Sequence, residues 1–248
     1  MPWRWDVAER DHEIQNPTSA EKIRLLGDYL RLTPESRVLD LACGKAGPAL
    51  ILAGAYGCRI SGIERMSEFA DAGRERVAAA GLQKLIEITT ADAREAPLEA
   101  EAWDAVLCLG ASFIWGTLAE TAAVLHPAVR PNGFIAVGEP FWRRWPLPEA
   151  VESEGWTTLP ETAVRMRDAG FAVTGMIAAS DDDWDRYESL HWRALEEWLS
   201  QNPDDPDAAD MREQHERSRS LYLGRERELL GWAIFVGRKA GADGSVAG

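Results

Sequence analysis

The sequence predicts an α/β fold in which helices flank a mostly parallel sheet. Short apolar runs alternate with amphipathic helical stretches along most of the 248 residues. The first run, Arg37–Leu41, leads into a loop of very small residues between Ala42 and Gly47, and a helical pattern follows. A second run ends at Glu64, twenty residues after Gly44. A strand, tight turn, helix and second strand in this order form the opening unit of a nucleotide-binding sheet.

The other elements follow from apolar spacing and turn signals. A helix begins after the N-cap signal Thr18-Ser19 and ends before Pro34. The turn signal Pro131-Asn132-Gly133 predicts that the fifth strand begins at Phe134. The full set of predicted strands is 37–41, 59–64, 85–90, 103–109, 134–138, 171–178 and 231–236, with helices at 47–56, 67–80, 117–129, 160–169, 184–200 and 206–227.

The length of the chain is sufficient for one α/β domain with a complete core. We predict a single domain over residues 1–239, followed by a disordered tail over 240–248 that is rich in Gly and Ala. Residues 1–17 are predicted to form an N-terminal cap, and residues 183–228 a helical insertion before the last strand.

Composition excludes several classes of partner. The net charge of −14 argues against nucleic acid, because phosphate binding needs a dense Lys/Arg surface. No apolar run approaches the length of a membrane span, and the chain begins without a signal-peptide core. Three cysteines without metal-ligand spacing predict reduced thiols in the cytoplasm and no metal site. The sequence leaves the oligomeric state open.

Asp40 favours one nucleotide over another. On spacing alone, Ala42-x-Gly44-x-x-Gly47 fits a loose dinucleotide fingerprint, so an NAD-dependent oxidoreductase is an alternative. A carboxylate at the end of the first strand repels a pyrophosphate but attracts the ammonium and sulfonium of S-adenosylmethionine. Lys45 opposes this preference, and we interpret it as a solvated loop lysine. The charge of Asp40 therefore predicts S-adenosylmethionine as the cofactor.

The sequence resembles class I S-adenosylmethionine-dependent methyltransferases over residues 18–178 and the last strand. The resemblance rests on Val38–Gly44, Gly62–Glu64, Asp92-Ala93 and Trp103–Val106. It implies a Rossmann-like seven-stranded sheet, mostly parallel with an antiparallel last strand. Three further segments are similar to a bacterial group of small-molecule-type methyltransferases whose substrates are not assigned, namely 12–17, 138–143 and 183–188.

The resemblance implies roles around the methionine part of the cofactor. Asp40 would help to hold the ammonium, and the backbone of Ala42, Cys43 and Gly44 would approach the methionine and ribose. Gly110, after the fourth strand, would offer a carbonyl to the ammonium. Alanine replaces glycine of the usual loop at 42 and 46. We expect alanine to be tolerated there if the φ angles are negative.

The resemblance also implies contacts to the nucleoside. Glu64 would accept hydrogen bonds from the ribose hydroxyls, and Arg65 would stack over the adenine. Asp92 would accept from the adenine amino group, with the backbone N–H of Ala93 donating nearby. Asn16 is a lid candidate, if the N-terminal cap folds over the cofactor.

Two residues are candidates for a catalytic base, which methyl transfer needs only if the acceptor arrives protonated. Glu139 ends the predicted fifth strand; its alternative role is an ion pair with Arg143 or Arg144. His12 reaches the site if the cap folds over it, and is otherwise a surface histidine.

Aromatic and polar side chains in the loops and late helices are candidates for an acceptor pocket, since aromatic faces bind planar or cationic groups. The alternative is that those in the late helices only pack the insertion onto the sheet. We therefore predict methyl transfer to a small molecule, with a non-catalytic cofactor-binding protein as a second alternative. The candidate acceptor-binding residues are Trp115, Trp142, Arg143, Tyr187 and His191.

Overall fold

A twisted seven-stranded sheet forms the centre of the protein, in the strand order β3-β2-β1-β4-β5-β7-β6. The computed structural model describes residues 4–96, 98–148, 151 and 155–241. The predicted tail therefore lies outside the described residues beyond position 241. The strands are β1 Arg37–Leu41, β2 Arg59–Glu64, β3 Ile86–Thr90, β4 Trp103–Leu109, β5 Val129–Trp142, β6 Phe171–Ala178 and β7 Leu230–Lys239.

The predicted mixed topology is confirmed. Strands β1 to β5 pair in parallel, whereas β7 pairs antiparallel with both β5 and β6. Both faces of the sheet are covered, because alternate residues of β1 enter different apolar clusters: Val38 points to one face, and Leu39 and Leu41 to the other. The carboxyl ends of β1, β2 and β4 consequently lie side by side, where open α/β sheets bind ligands.

Strand β5 is longer than the sequence predicts. The expected turn at Pro131-Asn132-Gly133 lies inside the strand as a bulge, with Asn132 at a φ of 65°. The register shifts there, because Trp103 pairs with Val129 while Ala105 pairs with Phe134. The helix predicted at 117–129 is correspondingly shorter and ends at Leu125. A bulge and a turn use the same residue types, so the sequence signal did not separate them.

The helices are α1 Trp5–Ala8, α2 Ala20–Tyr29, α3 Gly47–Tyr56, α4 Ser67–Ala79, α5 Leu118–Leu125, α6 Leu159–Asp168, α7 Asp181–Gln201, α8 Ala208–Leu221 and α9 Arg227–Leu229. A π-helical turn, Tyr222–Glu226, joins α8 to α9. No helix in the described part of the chain is long and apolar enough to cross a membrane.

The N-terminal cap packs on the helical insertion. Val7 and Ala8 of α1 share a buried apolar cluster with Leu195 and Leu199 of α7. Helix α7 begins with a capping box between Ser180 and Asp183, so the acidic run here stabilises a helix start. Cap and insertion together cover the carboxyl ends of the central strands.

Candidate functional site

A cavity of about 520 Å³ opens at the carboxyl ends of β1, β2 and β4. Its volume lies within the usual range for small-molecule sites. All ten residues that the sequence analysis named as cofactor-binding line it: Asn16, Asp40, Ala42, Cys43, Gly44, Glu64, Arg65, Asp92, Ala93 and Gly110.

Asp40 presents an unpaired carboxylate oxygen to this cavity. The residue is 2% exposed, and its Oδ2 has no hydrogen-bond partner in the described chain. Burial raises the pKa of Asp40 to about 7, and the nearby charge of Glu64 adds to the effect. A buried orphan carboxylate is costly, so its position favours a ligand that brings a positive charge.

Glu64 is held by the backbone around it. Its Oε2 accepts a hydrogen bond from the Gly44 amide at 3.0 Å, and its Oε1 accepts one from the Met66 amide at 2.8 Å. Each carboxylate oxygen can accept a second hydrogen bond, so both remain capable of binding a pair of hydroxyls. The spacing of twenty residues between Gly44 and Glu64 in the sequence therefore brings the two residues into a direct hydrogen bond.

The loop after β1 is strained where alanine replaces glycine. Ala42 has a φ of 55° and Ala46 a φ of 60°, so the condition of negative φ angles, under which alanine was expected to be tolerated, is not met. A left-handed conformation costs a residue with a Cβ about 1–2 kcal/mol. The loop thus keeps the turn geometry of a glycine-rich loop at the expense of local stability.

This strain predicts that Ala42→Gly stabilises the protein. We expect the free energy of unfolding to rise by about 0.5–1 kcal/mol, since relief of strain exceeds the added entropy of the unfolded chain. Ala46→Gly is the matched control, and its gain is smaller because the Ala46 methyl is fully buried. Urea unfolding measures both, and a loss of stability at Ala42 would contradict the interpretation.

The N-terminal cap closes over the loop and over the end of β4. Gln15 accepts a hydrogen bond from the Lys45 amide at 2.6 Å through its Oε1. Asn16 donates to the Leu109 carbonyl at 3.2 Å. A Cβ built on Gly110 would lie 2.1 Å from Oδ1 of Asn16. The glycine therefore leaves room for a cap residue, whereas the sequence analysis ascribed it to approach of the ligand.

Lys45 is not the solvated loop lysine that the sequence analysis assumed. It is only 9% exposed, and its Nζ donates to the Glu9 carbonyl at 2.6 Å and to the Arg10 carbonyl at 3.1 Å. Burial lowers the pKa of Lys45. Its ammonium is directed into the cap, so it does not offer a phosphate site to the cavity.

Arg65, Asp92 and Ala93, which were predicted to contact the nucleoside, also line the cavity. Asp92 forms the N-cap of a 3₁₀ turn, Ala93–Glu95, and its Oδ1 accepts from the Arg94 amide at 2.9 Å. The Arg94 guanidinium also contacts this carboxylate, and these hydrogen bonds lower the pKa of Asp92. Arg65 is exposed at the rim. Asp92 is thus ionised and fixed beside the cavity.

The cavity is also lined by residues that were not predicted from the sequence. Trp5, Glu9, Phe113 and Ile114 line the cavity, and Tyr187 is the one predicted acceptor residue among them. Trp5 and Glu9 lie in a polar leader whose pattern gave no signal for a site. Phe113 follows Gly110 by three residues, and its 74% exposure marks an apolar group at the cavity.

Six other candidates do not line the cavity: Glu139, His12, Trp115, Trp142, Arg143 and His191. Glu139 is buried within β5 and accepts a hydrogen bond from Ser112 at 2.5 Å; burial raises its pKa. The ion pair considered for Glu139 is wrong, since Arg143 pairs with Asp181 at 2.8 Å and Arg144 with Glu228. Trp142 packs against Trp156 with the ring centroids 5.8 Å apart and the planes tilted by 53°. Trp115 packs on the apolar core, and His12 and His191 are buried beside Glu9.

The carboxylates at the strand ends fit S-adenosylmethionine. The free oxygen of Asp40 suits the ammonium, and the backbone-held carboxylate of Glu64 suits a ribose diol. A pyrophosphate would meet both carboxylates at once.

Comparison with known proteins gives the same class. Residues 38–133 match the family model described as a methyltransferase domain. The uncharacterized protein YjhP of Escherichia coli K12 is 31% identical over 243 residues, covering 95% of this chain and 98% of that protein. A methyltransferase from Thiobacillus denitrificans, solved with S-adenosyl-L-homocysteine, is 34% identical with a TM-score of 0.89, covering 96% and 98% of the two chains. One from Geobacter sulfurreducens, solved with the same ligand, is 32% identical with a TM-score of 0.89 and the same coverage.

The chain therefore belongs to the class I S-adenosylmethionine-dependent methyltransferases. Within that class it is similar to YjhP and its structural neighbours over nearly the whole length of each. Its cofactor is S-adenosylmethionine, and the dinucleotide alternative receives no support from these relatives.

Proposed function

We propose that the protein methylates a small-molecule acceptor that binds between the cap and the end of β4. The observation that carries this proposal is the cap itself: Gln15 and Asn16 lie over the glycine loop and Gly110. Because the cap covers the strand ends, it leaves a cavity suited to a compact ligand. The negative net charge also disfavours nucleic acid as the acceptor.

We propose that the cofactor is held by the residues that line the strand ends. S-adenosylmethionine, when bound, supplies a methyl group on a sulfonium. Asp40 binds the methionine ammonium together with the Gly110 carbonyl, and Glu64 binds the ribose hydroxyls. The remaining contacts are the backbone of Ala42, Cys43 and Gly44 to methionine and ribose, Arg65, Asp92 and Ala93 to adenine, and Asn16 from the cap.

The acceptor contacts of this proposal are Trp5, Glu9, Phe113 and Tyr187. All four line the cavity and are not among the residues proposed to bind the cofactor. Aromatic faces exclude water and orient the acceptor, and such positioning supplies much of the rate of a displacement at an activated methyl group. The structure gives no direct contact with the cavity to Trp115, Trp142, Arg143 or His191, so they are left out of this set.

Glu139 acts on the site through Ser112 in this proposal. Ser112 lies between Ala111 and Phe113, both of which line the cavity. Its hydroxyl donates to Glu139 at 2.5 Å, so the carboxylate fixes the turn that carries Phe113. Glu139 is thus a positioning residue, whereas the sequence analysis considered it a base.

Glu139→Gln tests this assignment. Glutamine keeps an acceptor for Ser112, so we expect turnover to fall less than about tenfold and the affinity for S-adenosylhomocysteine to stay unchanged. Loss of a general base would instead cost about 10²–10⁴-fold in turnover. Single-turnover rates with any active acceptor, with Glu161→Gln on the surface helix α6 as a control, distinguish the two results.

The proposed function is tested by release of S-adenosylhomocysteine from the purified protein against a panel of small amines, alcohols, thiols and carbon acids. We expect turnover with at least one compound of low molecular mass. Tight binding of S-adenosylhomocysteine with no turnover across the panel favours the non-catalytic alternative.

Three buried, unbridged cysteines in the described chain support our further proposal that the protein works in the cytoplasm.

A further inference from the structure

Glu9, His12 and His191 form a buried cluster beside the cavity that the proposed reaction does not use. One ligand atom from each residue lies within 4.8 Å of the others. Their exposures are 3%, 2% and 8%. Glu9 and His12 belong to the cap, and His191 belongs to α7. The cluster therefore joins two elements that cover the site.

The hydrogen bonds of His12 leave one ring nitrogen without a partner. Its Nε2 lies 2.9 Å from the Tyr187 carbonyl. A carbonyl only accepts, so Nε2 carries the proton and the lone pair of a neutral ring is on Nδ1. Metal-binding histidines are commonly oriented by such a carbonyl on the other nitrogen.

That lone pair faces a carboxylate oxygen. His12 Nδ1 lies 3.3 Å from Glu9 Oε2, and neither atom has a hydrogen-bond partner within the described ranges. Two buried lone pairs at this distance repel unless a positive group lies between them. The other oxygen of Glu9 accepts from the Tyr187 hydroxyl at 2.9 Å and lies 2.9 Å from His191 Nε2.

The spacing of His12 and Glu9 suits a tetrahedral divalent ion, and His191 would exchange its 2.9 Å contact with Glu9 for the ion. Zinc binds histidine nitrogen and carboxylate oxygen at about 2.0–2.1 Å, which places neighbouring ligand atoms of a tetrahedron about 3.3–3.4 Å apart. A proton shared in a charged hydrogen bond would instead favour a separation of about 2.7–2.9 Å. The distance of 3.3 Å between Nδ1 and Oε2 agrees with the ion.

We propose that Glu9, His12 and His191 bind a divalent transition-metal ion, with Zn²⁺ as the best match to two imidazoles and one carboxylate. The ion ties the cap to α7. Glu9 also lines the cavity, so the ion borders the space next to the cofactor. The absence of a metal site was predicted from the spacing of the cysteines. His191 lies far along the chain from Glu9 and His12, so sequence spacing gave no signal for this cluster. This proposal depends on the cluster alone and holds whether or not the acceptor assignment is correct.

The test uses full-length protein that has been stripped with a chelator and titrated with Zn²⁺ by calorimetry and with Co²⁺ by visible absorption. We expect one ion per chain, a Co²⁺ spectrum of tetrahedral intensity and a higher melting temperature with Zn²⁺. Since loss of an outer partner already costs about 10–100-fold in metal affinity, loss of a ligand should cost at least about 100-fold.

The variants are Glu9→Gln, His12→Gln and His191→Gln, because glutamine preserves hydrogen-bonding capacity and favours folding. His215→Gln is the matched control: His215 is also buried and lies 3.2 Å from a carboxylate, that of Glu196, but it is outside the cluster. Weak binding in the three variants and normal binding in the control support the site. Absence of binding by the wild type, or equal affinity in all four variants, overturns it.

Discussion

Asp40→Asn is expected to weaken the binding of S-adenosylhomocysteine about a hundredfold. The carboxylate is buried and one oxygen has no partner in the described chain, so the ligand ammonium is its natural counter-charge. Removing one member of a buried charge pair costs about 2–5 kcal/mol, and about 3 kcal/mol corresponds to this loss in affinity. Isothermal calorimetry measures it, and an unchanged dissociation constant would remove Asp40 from the site.

The same carboxylate makes ligand binding dependent on pH. The pKa of Asp40 is about 7, so below pH 7 a growing fraction must lose its proton before it can pair with the ammonium. We expect the affinity of the wild type to fall between pH 7 and 6, with up to about one proton released on binding. Calorimetry in two buffers of different ionisation enthalpy gives the proton count. The asparagine variant should show no release from this position.

The free protein should respond in the opposite direction. The pKa of Asp40 rises from 3.8 to about 7 on folding, so the folded state holds its proton more strongly than the unfolded state. The contribution of Asp40 to the stability of the wild type therefore falls as the pH rises from 5 to 8, by at most about 3 kcal/mol. Asp40→Asn should remove the part of the slope that Asp40 contributes, while Glu188, whose pKa burial also raises to about 7, keeps its own part. The variant should be the more stable protein at pH 8 without ligand. Urea unfolding at pH 5 and 8 tests the difference.

Gly110→Ala is expected to destabilise the protein and to weaken cofactor binding. The new Cβ would lie 2.1 Å from Oδ1 of Asn16, so the cap side chain must move and its hydrogen bond to Leu109 is lost. Gly110 also has a φ of 79°, which adds strain. We expect a loss of about 2–3 kcal/mol in unfolding free energy, the sum of backbone strain and one buried hydrogen bond. Cofactor affinity should fall at least about tenfold as well.

Gly81→Ala separates these causes. Gly81 has a φ of 70°, but no described heavy atom lies within 4 Å of an added Cβ. This variant should lose about 1 kcal/mol from strain alone and keep full cofactor affinity. Combining Gly110→Ala with Asn16→Ala removes the clash, so the double variant should be no less stable than Gly110→Ala. Additive losses would show that the cap does not contact Gly110.

The sequence predicted the sheet because its signals are local. Alternating apolar runs fix the strands, and the residues at the strand ends, such as Asp40 and Glu64, share one edge of any parallel sheet. The errors in the fold are also local. The bulge at Asn132 uses the residue types of a turn, and only pairing with Trp103 and Ala105 distinguishes them.

Of the proposed acceptor contacts only Tyr187 was predicted, because Trp5 and Glu9 reach the cavity through contacts between distant segments. Glu9 reaches Tyr187 and His191 across nearly the whole chain. A polar leader with one short helix gives no periodic signal for burial, so Glu9 and Trp5 were not predicted to line the cavity. Trp142 was predicted to contact the acceptor but lies in a buried apolar cluster. An aromatic residue near a strand end packs into the core as readily as it lines a pocket.

The buried ammonium of Lys45 has a consequence for how proteins of this class diverge. It is solvated by two carbonyls of a leader segment that belongs to no strand of the sheet. A descendant that lost those first dozen residues would keep the sheet but lose both carbonyl acceptors of this ammonium. Loss of the leader in evolution is thus constrained by the need to solvate the Lys45 ammonium.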